Sequence, residues 1–167
     1  MFTAAPVPAQ PRGPARLARL RVLLIEDDED HTLLMRRALD HARVANPMVV
    51  VGDGEAARDY LFGIGRHAGR DPRDAPVLVL LDLKLPKISG IDILRLVRAH
   101  PLTEHIPVVV LTTSDQDEDL VHAYGLGANS FVRKPVDFDA FQRAVERIAL
   151  YWLVVNQPPP TTEREVA

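Results

Sequence analysis

A doubly wound α/β fold, with five parallel strands alternating with five helices, is predicted by three features of the sequence. Short apolar runs rich in Val, Ile and Leu recur along the chain without polar alternation, as a sheet covered on both faces requires. Each of the well-marked runs ends abruptly in acids or hydroxyls. Segments of helical spacing lie between them, and Gly or Pro marks the joints.

The first run, Arg21 to Ile25 (RVLLI), stops at Glu26, Asp27, Asp28, Glu29 and Asp30, the mark of a buried parallel strand with acids at its carboxyl end. From Glu29 to Arg43, Leu34, Ala38 and the His41/Ala42 pair recur at helical spacing, and Pro47 with MVVV supplies a second strand. Gly52-Asp53-Gly54 turns into a helix from about Glu55 to Phe62. Gly63 to Pro76, with three Arg and three Gly, reads as a long loop. Val77 to Leu81 is the third strand and ends at Asp82; a helix from about Ile91 to Ala99 follows Pro86 and Gly90. Ile106 to Leu111 is the fourth strand, ending in Thr112 and Thr113, and Asp115 to Tyr124 is a short acidic helix. Asn129 to Val132 is a brief fifth strand closed by Lys134-Pro135. In the last helix, from about Asp137, Phe138, Phe141, Val145, Ile148, Trp152 and Val155 recur at spacings of three and four.

The 167 residues suit one domain with tails, and 47% hydrophobic with 26% charged residues fits a globular chain. Twenty basic against 23 acidic residues, a net charge of −3, offers no basic excess for nucleic acid. The absence of cysteine excludes disulfides, thiol nucleophiles and thiolate metal sites. No stretch reaches the roughly 18 apolar residues of a membrane span. Pro6, Pro8, Pro11 and Pro14 deny the first segment an apolar export core, so a cytoplasmic location is expected. Residues 1–19 read as a flexible Pro/Arg leader, 20–156 as the domain with an extended last helix, and 157–167 as a disordered Pro-rich tail.

In such a sheet, ligands bind beyond the carboxyl ends of the strands, at the switch in strand order. Strand 1 brings Glu26 and Asp27 there, strand 3 Asp82, strand 4 Thr112 and strand 5 Lys134. Three carboxylates without cysteine or a histidine pair make a hard oxygen site that suits Mg²⁺. A carboxylate can also attack phosphorus when cations neutralise the phosphoryl oxygens and a hydroxyl positions one of them. Asp82, Lys134 and Thr112 fit those roles. Singly, each has a plainer use as a helix cap, a solvated charge or a turn hydroxyl; their coincidence at four strand ends argues for a site. Asp28, Glu29 and Asp30 read as helix-start charges, and the six histidines, which lack ligand spacing, as surface or packing residues.

LLIEDDED, LVLLDLKLPKISG, PVVVLTTSD and GANSFVRKPVDF resemble, in order and spacing, the landmarks of receiver domains of two-component response regulators, over about Arg21 to Trp152. Within that family, the Arg/Gly loop, LDLKLPK, VVLTTS, LGANSF, KPVDF and Tyr151-Trp152-Leu153 resemble the small stand-alone regulators of bacterial and cyanobacterial phytochromes. The resemblance implies a flavodoxin-like (receiver) fold with strand order 2-1-3-4-5. It implies a phosphorelay in which a sensor histidine kinase, here a bacteriophytochrome, presents phosphohistidine and Asp82 takes the phosphoryl group. It further implies Mg²⁺ held by Glu26, Asp27, Asp82 and the backbone carbonyl of Lys84, with Lys134 and the Thr112 hydroxyl on phosphoryl oxygens. Phe131 takes the switch-aromatic position, the Lys134–Pro135 bond is expected to be cis, and the kinase is expected near His31 to Met35 and Pro135 to Phe138. Two residues depart from the pattern. Glu26 stands where many members carry Asp, and Phe131 replaces the commoner Tyr.

Eleven residues follow Asn156, too few for an output module, so output by protein contact or a relay role is expected. The apolar stripe runs on through Tyr151, Trp152 and Val155, past what the sheet covers. This predicts a homodimer through the end of helix 5 with helix 4 and strand 5, with kinase docking as the competing use. Two other functions compete with the receiver reading. An Asp-nucleophile phosphohydrolase needs a second acid two residues on, where this chain has Lys84, so only slow self-hydrolysis is expected, with Lys84 and Ser114 tuning water access. A dimeric adaptor that never takes phosphate would be marked by loss of an acid or the lysine, and none is lost. The expectation is a phosphoacceptor signalling protein rather than a turnover enzyme.

Overall fold

The computed structural model describes residues 20–158, so the expectations for residues 1–19 and for most of the tail lie outside it. The strands are β1 (Val22–Ile25), β2 (Met48–Val51), β3 (Leu78–Leu81), β4 (Val108–Thr112) and β5 (Ser130–Arg133). All pair in parallel, in the order β2-β1-β3-β4-β5. The helices are α1 (Glu29–His41), α2 (Gly54–Phe62), α3 (Gly90–Ala99), α4 (Asp117–Gly125) and α5 (Phe138–Ala149). Side chains of Asp28, Asp53, Ser89 and Asp137 cap α1, α2, α3 and α5. Among the described residues no helix is long and apolar enough to cross a membrane.

The period-two alternation of each strand sorts the core into two layers. Leu23, Ile25, Val79, Leu81, Val108 and Val110 face α2, α3 and α4 through residues such as Ala57, Leu61, Ile93, Val97 and Ala123. Val22, Leu24, Leu78, Leu80, Val109 and Leu111 face α1 and α5 through Met35, Ala38, Leu39, Phe141 and Val145. Both faces of the central strands are therefore buried, which explains their unbroken apolar runs.

The structure differs from the sequence expectations in four places. α4 begins at Asp117 rather than Asp115, because Gln116 is extended at the N-cap (ψ 124°); the Asp115 carbonyl before it accepts from the Arg133 guanidinium at 3.1 Å. Part of the long loop winds into a 3₁₀ turn, Gly65–His67. The end of the last helix, Leu150–Val155, is a π-helical turn closed by Asn156 N–H to the Tyr151 carbonyl at 2.6 Å. This wider turn slips the predicted stripe. Trp152 and Leu153 stay against the α1/α5 layer, while Tyr151 and Val155 are 50% and 59% exposed. Finally, no described peptide bond is cis, Lys134–Pro135 included; trans is the intrinsically lower isomer of an X–Pro bond, by about 0.5–1 kcal/mol.

The turn after β3 is held by close backbone approach. Gly90 N–H donates to the Leu83 carbonyl at 3.0 Å, and a Cβ on Gly90 would lie 2.2 Å from the Asp82 carbonyl oxygen and 2.6 Å from Leu83 Cα. Gly90→Ala is expected to destabilise the fold by about 1–3 kcal/mol through overpacking against backbone. Gly69→Ala, whose Cβ meets nothing within 4 Å, should stay within about 0.5 kcal/mol. Urea denaturation of the two variants checks the difference.

Candidate functional site

Strand register brings the predicted residues together. Ile25 pairs with Leu81, so Glu26 and Asp82 leave the sheet side by side; Thr112 pairs with Arg133, so Lys134 emerges next to Thr112. Alternation sets their direction. Glu26, Asp82 and Lys134 continue the parity of Leu24, Leu80 and Val132, all on the α1/α5 side, whereas Thr112 continues that of Val110 on the other.

Glu26, Asp82, Thr112 and Lys134 are all buried. Lys134 Nζ donates to Glu26 Oε2 and, at 3.2 Å, to Asp82 Oδ2. Asp82 Oδ1 accepts from the Thr112 hydroxyl at 2.9 Å and from the Lys84 N–H at 3.2 Å. Asp27 is exposed at the rim, and Glu26, Asp27 and Asp82 each present an oxygen within 4.8 Å of the others. Three carboxylates facing one ammonium leave excess negative charge in a crevice open to solvent through Asp27, a donor set of hard oxygens that fits a small divalent cation. Burial pushes the Glu26 carboxyl above its ordinary value of 4.5; hydrogen bonding and charge from Lys134 oppose this without cancelling it.

A family model for the response regulator receiver domain matches residues 22–146. The chain belongs to that family. Among relatives, the receiver is 41% identical over 138 residues to the probable methanogenesis regulatory protein FilR2 of Methanothrix harundinacea, covering 83% of this chain and 86% of that one. Among solved structures it is similar to the phosphorylated cyanobacterial phytochrome response regulator RcpA, at 33% identity and TM-score 0.79, covering 85% of this chain and 99% of the other. It is also similar to the bacteriophytochrome response regulator AtBRR, at 42% identity and TM-score 0.66, covering 83% and 99%.

The other predicted residues of the receiver fall around this centre. Lys84 is exposed and contributes its amide to Asp82. Phe131, on the parity of Thr112, packs half-buried against the α2/α3/α4 layer, and its N–H donates to the Tyr124 hydroxyl at 3.2 Å. A phenol thus reaches β5 from α4, although position 131 itself lacks one. Ser114 N–H donates to the Thr112 hydroxyl oxygen at 3.3 Å, and its own hydroxyl donates to Asp119. Arg133 bonds Asp117 Oδ1 at 2.8 Å, tying β5 to the start of α4.

The sequence reading did not join Arg133 to Asp117 or His31 to Lys134. His31 Nδ1 lies 3.1 Å from Lys134 Nζ and 3.8 Å from Glu26 Oε1. Its signal was the cap: with Asp28 at the N-cap, residue 31 sits in the first turn of α1, on the side toward which Glu26 and Lys134 point.

The sign of the Glu26 effect on stability follows from linkage. A carboxyl raised above its unfolded value contributes stability that is complete below about 4.5 and is lost as pH rises through the folded value. The metal-free protein should therefore lose stability relative to Glu26→Gln as pH rises above about 4.5. Chemical denaturation across that range should show the gap widening with pH; a constant gap would contradict it.

Proposed function

We propose that this receiver accepts a phosphoryl group on Asp82 from the phosphohistidine of a sensor histidine kinase, a bacteriophytochrome, and signals in the cytoplasm through protein contacts. The observation that carries the reading is the double engagement of Asp82, whose two oxygens meet the Thr112 hydroxyl and the Lys134 ammonium beside two further carboxylates. The phosphorylated state of RcpA and the phytochrome link of both solved relatives support the chemistry and the partner class.

Asp82 supplies the nucleophilic oxygen. The new O–P bond forms as the P–N bond of phosphohistidine breaks, and the departing imidazole nitrogen keeps the electron pair and takes up a proton. Glu26, Asp27, Asp82 and the backbone carbonyl of Lys84 would hold Mg²⁺. When bound, that ion supplies charge neutralisation for the carboxylates and phosphoryl oxygens. Lys134 releases Glu26 and turns one donor to a phosphoryl oxygen, while Thr112 offers its hydroxyl to another. Because Thr112 and Phe131 share one side of the sheet, movement of the hydroxyl is felt where Phe131 and Tyr124 meet.

Incubation with acetyl phosphate and Mg²⁺, read by intact mass, is expected to give a single adduct of one phosphoryl group. The adduct should be absent with chelator and in Asp82→Asn. An adduct retained in Asp82→Asn would refute the assignment, and none on the wild type would favour an unphosphorylated adaptor.

The occupant we assign to the exposed π-helical turn is a second copy of the chain, with α4 and β5 extending the interface. Leu150, Tyr151, Val154 and Val155 form an apolar surface at the end of α5, and Val121 and Tyr124 of α4 are also exposed. Trp152, held against its own core, contributes mainly by fixing the turn. Sedimentation is expected to show a dimer in the wild type and a monomer in the Tyr151→Glu/Val155→Glu double variant, with the far-ultraviolet spectrum unchanged.

A further inference from the structure

One of the three groups that hold Lys134 is not a carboxylate. Nζ donates to Glu26 Oε2 and to Asp82 Oδ2 at 3.2 Å, and lies 3.1 Å from His31 Nδ1. An ammonium has three hydrogens and no lone pair, so these contacts saturate it. Nδ1 must then be the bare ring nitrogen, with the proton on Nε2. The Lys134 side chain is only 2% exposed, which leaves no water to replace a lost acceptor cheaply.

The residue is itself held at its backbone and at its ring. The His31 backbone N–H donates to the Asp28 cap at 3.0 Å, which fixes the first turn of α1. The ring stacks on Phe141 of α5, with centroids 6.5 Å apart and planes 19° from parallel. α1 and α5 thus aim one ring nitrogen at the lysine.

The two carboxylates are the groups that phosphorylation redirects. Asp82 would become the acyl phosphate, and Glu26 would be one of the carboxylates that hold the cation. His31 Nδ1 touches Lys134 Nζ but lies 3.8 Å from Glu26 Oε1 and 3.9 Å from Asp28 Oδ2, so neither contact ties it to a carboxylate that phosphorylation would redirect. We propose that His31 is a positioning residue whose Nδ1 holds the Lys134 ammonium at the Asp82 carboxylate while Glu26 is engaged elsewhere, keeping Lys134 aimed at the incoming phosphoryl group. An acid at this position would add a fourth negative charge beside that group, and an apolar residue would orphan a buried N–H. The inference rests on the phosphoacceptor reading of Asp82.

Two substitutions separate the acceptor from the ring. His31→Phe keeps a ring for Phe141 and deletes the acceptor; His31→Asn keeps an amide oxygen near the Nδ1 position and deletes the ring. The full chain and both variants are compared in phosphorylation rate at saturating acetyl phosphate and Mg²⁺, and in the ¹H–¹⁵N signal of the Lys134 ammonium without phosphate donor. His31→Phe is expected to slow phosphorylation about tenfold and to lose the ammonium signal to solvent exchange, and His31→Asn to stay within about threefold and keep the signal. Wild-type rate and signal in His31→Phe, or equal loss in both variants, would overturn the role of Nδ1. Absence of any adduct on the wild type would instead refute the phosphoacceptor reading. The ammonium signal would then still decide whether His31 holds Lys134: lost in His31→Phe and kept in His31→Asn supports the hold, and any other pattern overturns it.

Discussion

Lys134 is a charge taken almost wholly out of water at the end of an edge strand, and it is held there by groups from three other segments of the chain. Moving an ammonium out of water costs several kcal/mol, so its position is tenable only while acceptors surround it. Glu26 from the end of β1, Asp82 from the end of β3 and His31 from the first turn of α1 supply them. The same carboxylates that make the lysine tenable repel one another, and Glu26 retains a raised affinity for protons as a result of its burial. The lysine therefore sits on the same oxygens that a divalent cation would need.

The fold converts that arrangement into a directional device through the parity of its strands. Glu26, Asp82 and Lys134 lean toward α1 and α5, and Thr112 and Phe131 toward α2, α3 and α4. A group attached to Asp82 thus draws on both layers: the lysine from one and the threonine hydroxyl from the other. From Thr112 the contacts run outward through Ser114 to Asp119 on α4, and Arg133 fastens the strand before Lys134 to the same helix. The α4 and β5 face is coupled to the centre by hydrogen bonds a few residues long.

Most of this plan was legible in the sequence. The doubly wound sheet followed from unbroken apolar strands, and Glu26, Asp27, Asp82, Thr112 and Lys134 followed from where those strands stop. A strand end has one exit, so a terminal residue has little freedom about where it goes. Partners that depend on side-chain reach between elements were not legible. His31 lacked metal-ligand spacing, and its meeting with Lys134 becomes visible only when the α1 cap and the β5 parity are combined. Arg133 carried no signal of its bond to Asp117 across the loop. The π-helical turn was hidden for a different reason: its apolar residues satisfy three-and-four spacing, and only the i to i+5 bond from Asn156 reveals the slip that exposes Val155.

The central claim is that the partners of Lys134 exchange when Asp82 carries a phosphoryl-like group. The most direct measurement is a crystal structure of the complex with Mg²⁺ and beryllofluoride, a tetrahedral mimic of that group. The account predicts beryllium on an Asp82 oxygen, Lys134 Nζ moved from Glu26 to a fluorine but still bonded to His31 Nδ1, and the Thr112 hydroxyl on a second fluorine. A structure with beryllium on Asp82 and Lys134 still paired to Glu26 would contradict it.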